Sequence, residues 1–355
     1  MPGQRRHADC SKCGWRCRPA AFGEFVHGTN HSGAMLLPIE PSKTVPAMRR
    51  IRLRHHCGYK ANFFMLRLGG IFLPLGYGAV AAAVIWFWLT DRRARRASRG
   101  FLSCVLRDRP RPVSWRDTLY HMNLYGKMLL DRSVSLADSR GRFKVSSATG
   151  DAWRRDLPRE KGILLLTAHF GAAEMSAPML KHIGQGRKAH FVVYRDMRDT
   201  TEHFHRDQWK SLADIDWINS TDPISAGIRV MKALKNADLV AIRADRPMQG
   251  RAIVADFFGR PMQLPAGPFM AALLSGASVI TAFTVRTGYR AYQMHASMPR
   301  KYDLASGPGR DQLLKQAVKD YVADLERIVR LYPYQWGNFY DVWRTTAAGT
   351  GADPV

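Results

Sequence analysis

His169, Glu174, Arg195 and Asp245 are residues whose types and places could share one reaction. The stretch ILLLTAHFGAAE, residues 163–174, is an apolar run that stops on His169, turns through Gly171 and reaches Glu174. An imidazole takes up and returns a proton near neutral pH, and a carboxylate on one ring nitrogen fixes its tautomer. The pair therefore reads as a general base, His169, with Glu174 folding back to orient it. No GxSxG elbow occurs in the chain, and no cysteine lies near this stretch. With no protein nucleophile in view, the base would activate a hydroxyl of the substrate itself, for acyl or phosphoryl transfer. The absence of a GxxxxGK[ST] loop weakens phosphoryl transfer from ATP.

These residues need a scaffold. Residues 162–170, 189–196, 238–245 and 278–286 are β-rich apolar runs. Helical patterns separate them, including AEMSAPMLKHI, ISAGIRVMKALKNA and GPFMAALLSGA. Strands alternating with helices predict an α/β sheet flanked by helices. His169, Arg195 and Asp245 each fall at the carboxyl end of a predicted strand, where ligands gather in such folds. Gly171 would let the chain turn and leave room for a substrate near the backbone. Helical periodicity also covers much of 98–136 and the stretch from Arg310 to Pro333, and an aromatic segment, YQWGNFYDVW, closes the sequence pattern.

The amino-terminal part has another character. Residues 1–47 carry no apolar period and read as a low-complexity, disordered extension, with Met48 as an alternative start. Residues 68–90 hold no charge, long enough to cross a hydrocarbon core of about 30 Å. Trp86 and Trp88 lie near one end of it, as interfacial aromatics do, and the alternatives are an interfacial anchor or a helical hairpin broken at Pro74. Arginines flank both ends, so the charge rule sets no topology. Gly76-x-Gly78-x-x-Ala81 matches a dinucleotide fingerprint but has neither the preceding strand nor an acidic residue about 20 positions on.

The formal charge of +25 asks for an anionic partner, and the apolar segment favours a lipid surface over nucleic acid, for which no motif is present. All five cysteines lie in the first third, which fits a reducing compartment rather than a disulfide framework. Cys10, Cys13 and Cys17 lack a second ligand pair for zinc. Glu202, His203, His205 and Asp207 lack the i,i+4 spacing of a helical metal site. No metal or cofactor is expected.

TAHFGAAE resembles the HFGNWE signature of the bacterial lipid A lauroyl/myristoyl acyltransferase family. ASRGFL, YGKMLLDR, VVYRD, RADRPMQG, the block VADFFGRPMQLPAGPFMAALLSGASVITAFTVR and YPYQWGNFYDVW resemble further blocks of that family, in order, over roughly residues 50–343. The resemblance implies a glycerolipid-acyltransferase-like mixed sheet flanked by helices, with an N-terminal hydrophobic membrane-anchoring helix. Composition and resemblance together divide the chain into the low-complexity extension 1–47, a basic and hydrophobic anchor 48–97, an acyltransferase domain 98–345 and a disordered tail 346–355. The implied enzyme sits at the cytoplasmic face of the bacterial inner membrane. It moves a fatty acyl chain from acyl carrier protein to a hydroxyl of a lipid A precursor or related glycolipid.

By motif, His169 would be the base and Glu174 its partner, with Arg195 and Asp245 as further catalytic residues. Arg195 could bind a phosphate or steady the thioester oxyanion. Gly171, Arg246, Phe258, Gly259 and Gly267 would contact or shape the substrate site. Two departures stand out: Ala172-Ala173 replaces the family's Asn-Trp, and Arg246 replaces its Gln. Both bear on the acceptor. The alternatives are an acyl-CoA-dependent lipid acyltransferase and a non-catalytic, basic membrane-binding protein.

Overall fold

The computed structural model describes residues 72–136, 142–149, 157–176, 184–193, 215–247, 251–304 and 309–343. The extension 1–47, the alternative start Met48, the cysteine cluster, Arg195, the 201–207 stretch and the tail 346–355 lie outside the described residues. Three helices come first: α1 (Leu73–Thr90), α2 (Arg92–Val105) and α3 (Trp115–Leu136). Then follow β1 (Lys144–Ser147), β2 (Ile163–Thr167), a 3₁₀ turn over Ala173–Ser176, β3 (Ala189–Val193), β4 (Ile215–Asn219), α4 (Pro223–Lys235) and β5 (Leu239–Arg243). A hairpin of β6 (Ala252–Phe257) and β7 (Arg260–Pro265) leads to α5 (Ala266–Ser275), β8 (Ser278–Gly288), β9 (Ala291–Ala296) and α6 (Arg310–Leu331).

Among the described residues the main sheet has seven strands in the order β1-β9-β8-β2-β5-β3-β4. Its pairs are parallel except β8 with β9, so the sheet is mixed. The central strand β2 is buried at every position, which is why it reads as a continuous apolar run. Its residues alternate between two cores. Leu164 and Leu166 join the large cluster shared with Phe269 of α5 and Leu325 and Ile328 of α6. Ile163 and Leu165 face the smaller cluster with Leu239, Ile280 and Met294.

Pro74 starts α1 rather than breaking a hairpin: it occupies the first turn, where its missing N–H costs nothing. The helix ends where Asp91 caps α2, accepting from the backbone N–H groups of Arg93 and Ala94 at 3.0 Å each. Gly76, Gly78 and Ala81 lie inside α1, so the dinucleotide-like match sits within a helix and not on a strand-to-helix turn. Leu73, Gly76 and Val80 are buried, and the cluster of Leu73 and Val80 with Leu130 and Val134 joins α1 to α3. Gly126 lets the two helices approach, since a Cβ there would lie 2.8 Å from Val80 Cγ1. The buried Asp131 carboxylate ties these helices to the sheet, accepting from Tyr77 Oη, Tyr292 Oη and Arg286 Nε at 2.5, 2.7 and 3.1 Å. Another side of α1 is apolar yet bare, with Leu75, Ile85, Trp86 and Leu89 exposed, Trp86 to 71%. By length and composition α1 is the one helix among the described residues that could cross a membrane.

Candidate active site

The site is built by strand register. β2 and β5 run parallel with Thr167 beside Arg243, and the Ala244 N–H donates to the Thr167 carbonyl at 2.9 Å. Two residues further along each strand come His169 and Asp245. They meet twice: the His169 backbone N–H donates to Asp245 Oδ2 at 3.0 Å, and His169 Nδ1 lies 2.9 Å from Oδ1. Asp245 is buried, 1% exposed, and its carboxyl is held down at about 2. Burial alone would raise it; His169, Arg246 and the indole N–H of Trp336 outweigh that.

A carboxylate only accepts, so His169 Nδ1 carries the proton and Nε2 keeps its lone pair. The ring is 30% exposed and borders a pocket lined by Tyr125, Met128, Leu129 and Arg132 of α3 and by Arg243. Burial pushes the His169 pKa below the ordinary histidine value; Asp245 opposes that, and Arg243 and Arg246 add to it. The imidazole is therefore neutral at pH 7, the form a general base needs.

Glu174 does not hold the imidazole. Its Oε1 pairs with the guanidinium groups of Arg243 and of Arg132, the latter at 3.1 Å. Burial would raise its pKa, but Arg243 and Arg132 bring it down to about 2. The expected His169–Glu174 contact is thus replaced by His169–Asp245. The physical reason is register: Asp245 arrives beside the ring on the neighbouring strand, while the 3₁₀ turn carries Glu174 to two cations. Arg243 and Arg132 were missed as site residues from sequence. An arginine ending the otherwise apolar run LVAIR is a signal, because a charge there requires a partner.

Gly171 lines the pocket, but the space beside its Cα belongs to β8 rather than to a substrate. At φ +62, a Cβ would sit 1.9 Å from the Thr284 carbonyl oxygen. Arg246 donates to the Gly337 carbonyl and stacks 5.3 Å from the Tyr340 ring. Phe258 and Gly259 form the β6–β7 turn, both at positive φ, where the Phe258 N–H is held by Glu326 Oε1 at 2.6 Å. They and Gly267, in the first turn of α5, are not among the residues lining the His169 pocket.

A strap, residues 332–343, braces the turn that carries His169. The Gly337 N–H donates to the His169 carbonyl at 2.8 Å, and the Gly171 N–H to the Gln335 carbonyl at 2.7 Å. The Trp336 carbonyl accepts from His121 Nε2 at 2.8 Å, so His121 Nδ1 is the acceptor for Ser98 Oγ at 2.9 Å. Burial drives the His121 pKa down to about 4, a shift the Trp336 carbonyl only partly offsets. Below pH 6.5 the unfolded chain protonates this histidine and the folded chain does not. Stability should therefore be full above about pH 6.5 and fall by about 3 kcal/mol as pH drops to about 4. Thermal unfolding against pH, with His121→Gln as the comparison, should show the slope in that window flatten in the variant.

A mixed α/β sheet that presents a neutral, carboxylate-held histidine at a strand end defines a protein equipped for proton transfer to or from a bound substrate. The sequence model of the bacterial lipid A biosynthesis acyltransferases matches residues 138–345, more than half of the chain, and the chain belongs to that family. It is an acyltransferase acting in lipid chemistry. The matched span is narrower than the resemblance over 50–343: it holds the His–Asp pair, Glu174 and the strap, while the pocket wall on α3 precedes it. No curated protein sequence matches the chain significantly.

Proposed function

We propose that the chain is a membrane-associated O-acyltransferase that moves a fatty acyl group from acyl carrier protein to a hydroxyl of a lipid A precursor or related glycolipid. The observation that carries this reading is the His169–Asp245 pair in a chain of this family: Nδ1 is occupied, so Nε2 is left to take a proton. None of the described pocket-lining residues is a serine, threonine or cysteine, which favours direct transfer without an acyl-enzyme.

In this mechanism Nε2 removes the proton of the acceptor hydroxyl as its oxygen attacks the thioester carbonyl. The tetrahedral oxyanion forms beside the guanidinium groups of Arg132 and Arg243, with Arg195 as a further candidate. The carbon–sulfur bond then breaks, and the imidazolium returns its proton to the departing thiolate. Asp245 stabilises the imidazolium between these steps.

The bare apolar side of α1, followed by Arg92, Arg93, Arg95, Arg96 and Arg99, supports attachment to a bilayer with anionic headgroups. The charge of +25 also suits an acidic carrier protein. Both alanines line the pocket, and Ala172 also packs in a core with Met128, Met175 and Tyr292. The loss of a ring at Ala173 is the departure that would widen the acceptor's access.

The test is transfer of labelled acyl chains into lipid A precursor in mixed micelles, from acyl carrier protein and from coenzyme A in parallel, with His169→Ala as control. Label entering lipid from the carrier, and lost in His169→Ala, is the expected result. Transfer from coenzyme A alone would replace the donor. Equal transfer by wild type and His169→Ala would remove the base, and no transfer from either donor would overturn the reading.

A further inference from the structure

We propose that Trp336 is a positioning residue for the base: its indole N–H fixes the Asp245 carboxylate so that Oδ1 stays aimed at His169 Nδ1. This rests on the reading of His169 as the base. Three donors converge on Asp245. Oδ1 takes His169 Nδ1, and Oδ2 takes both the His169 backbone N–H and Trp336 Nε1, the last at 2.9 Å. Trp336 is wholly buried, packed edge-on against Phe101 and Phe257 with ring centroids 5.3 and 5.2 Å away. Water does not reach it, so the indole N–H must find a protein acceptor. A main-chain carbonyl would meet that need; the acceptor here is the carboxylate that also holds the imidazole.

The strap gives this contact its precision. Trp336 bridges Phe170 in antiparallel fashion, and the residues on each side of it bond the backbone of Gly171 and His169. Gln335 is locked in turn to β8, accepting from the Arg286 N–H at 2.7 Å and donating to its carbonyl at 2.8 Å. From the other side, His121 of α3, itself held by Ser98 of α2, donates to the Trp336 carbonyl. A line of hydrogen bonds thus runs Ser98–His121–Trp336–Asp245–His169, buried as far as Asp245 and reaching the partly exposed ring of the base. One ring nitrogen of the base is set by groups from four parts of the chain.

Trp336→Phe keeps an aromatic ring in the cavity and deletes the N–H. Site-specific benzothienylalanine keeps both rings and also lacks it, which covers the case in which the Phe variant folds poorly. Without the indole, Asp245 has one donor fewer and draws more strongly on the imidazole. The His169 pKa should then rise. The other charges acting on the ring, Arg243 at the end of β5 and Arg246 just beyond it, are unchanged, as is the Glu174 carboxylate that pairs with Arg243 and Arg132.

The readouts are the His169 ring pKa and tautomer, from nitrogen NMR on the full chain in micelles, and kcat, KM and their pH profiles. The expected result is a kcat lowered about tenfold to a hundredfold with KM within about twofold, and an alkaline shift of the limb that reports His169. Loss of stability alone would not move that limb. Wild-type kcat with an unchanged His169 pKa in both variants, while His169→Ala is inactive, would overturn the positioning role and leave the acyltransfer reading standing. If the wild type transferred nothing, the acyltransfer reading would fail, and the ring titration would still decide: an unchanged His169 pKa in both variants overturns the proposal, and a raised one upholds it.

Discussion

Asp245→Asn should lower acyl transfer by about 10³- to 10⁴-fold, close to the background left by His169→Ala, with the fold and lipid binding retained. The reason is the direction of the hydrogen bonds. Oδ2 receives two donors, the His169 backbone N–H and Trp336 Nε1. In the variant the amide oxygen must stay at that corner, so the amide nitrogen falls opposite His169 Nδ1. An N–H₂ facing Nδ1 forces Nδ1 to accept, and the proton moves to Nε2. The ring remains in place in the wrong tautomer, with no lone pair towards the pocket. Glu174→Gln should do less, about tenfold, because Glu174 touches Arg132 and Arg243 and not the ring. Initial rates for both variants, with thermal unfolding alongside, order the two carboxylates. If Glu174→Gln were the more damaging and Asp245→Asn nearly silent, the base would take its orientation from Glu174 after all.

That ordering marks the limit of what the sequence discloses. Apolar runs ending in His169 and Asp245 made both strand ends visible, and α/β alternation fixed a sheet to hold them. Strand neighbours were not visible. Five residues of spacing favoured Glu174 as the partner, and only the parallel register of Thr167 with Arg243 shows that Asp245 stands closer. Short or half-exposed strands also escaped: β1, β4 and β9 are four to six residues long with intermediate positions, so their apolar signal is diluted. The β6–β7 hairpin turns on Phe-Gly rather than Asn-Gly or Asp-Gly, which hides the usual turn cue.

The strap was legible as a motif but not as chemistry. YPYQWGNFYDVW announces aromatic packing, and Trp336 and Trp343 do pack in the main core. What composition cannot convey is that Trp336 spends its N–H on Asp245, and that the chain on either side of it bonds the turn after β2. Arg246 illustrates the same point from the opposite side. Its charge suggested a ligand, whereas the guanidinium is engaged with the Gly337 carbonyl and the Tyr340 ring. It acts on the site through its field at His169 and Asp245 and through the strap it steadies.

Gly171→Ala should be the most disruptive small substitution in the site, costing about 3 kcal/mol or more and lowering the melting temperature by about 6–12 °C. Two penalties add. The backbone at φ +62 lies in the left-handed region, where a Cβ costs about 1–2 kcal/mol. The new methyl would also lie 1.9 Å from the Thr284 carbonyl oxygen, a backbone atom within the central sheet that cannot swing aside. Relief requires the 170–172 turn to lift from β8, which breaks the Ala172 N–H bond to Thr284 at 2.9 Å and strains the Gly171 N–H bond to Gln335. Both bonds hold the segment that aims His169, so activity should fall further than stability alone explains. Calorimetry and initial rates, measured well below the variant's melting temperature, separate the two. Gly259→Ala provides the contrast, since its φ is +76 but nothing lies within 4 Å of the added carbon. It should cost only the conformational penalty and leave the His169 pocket active. Equal stability losses for the two variants would show that the sheet yields at Thr284, and that the close approach of β2 to β8 does not hold the base.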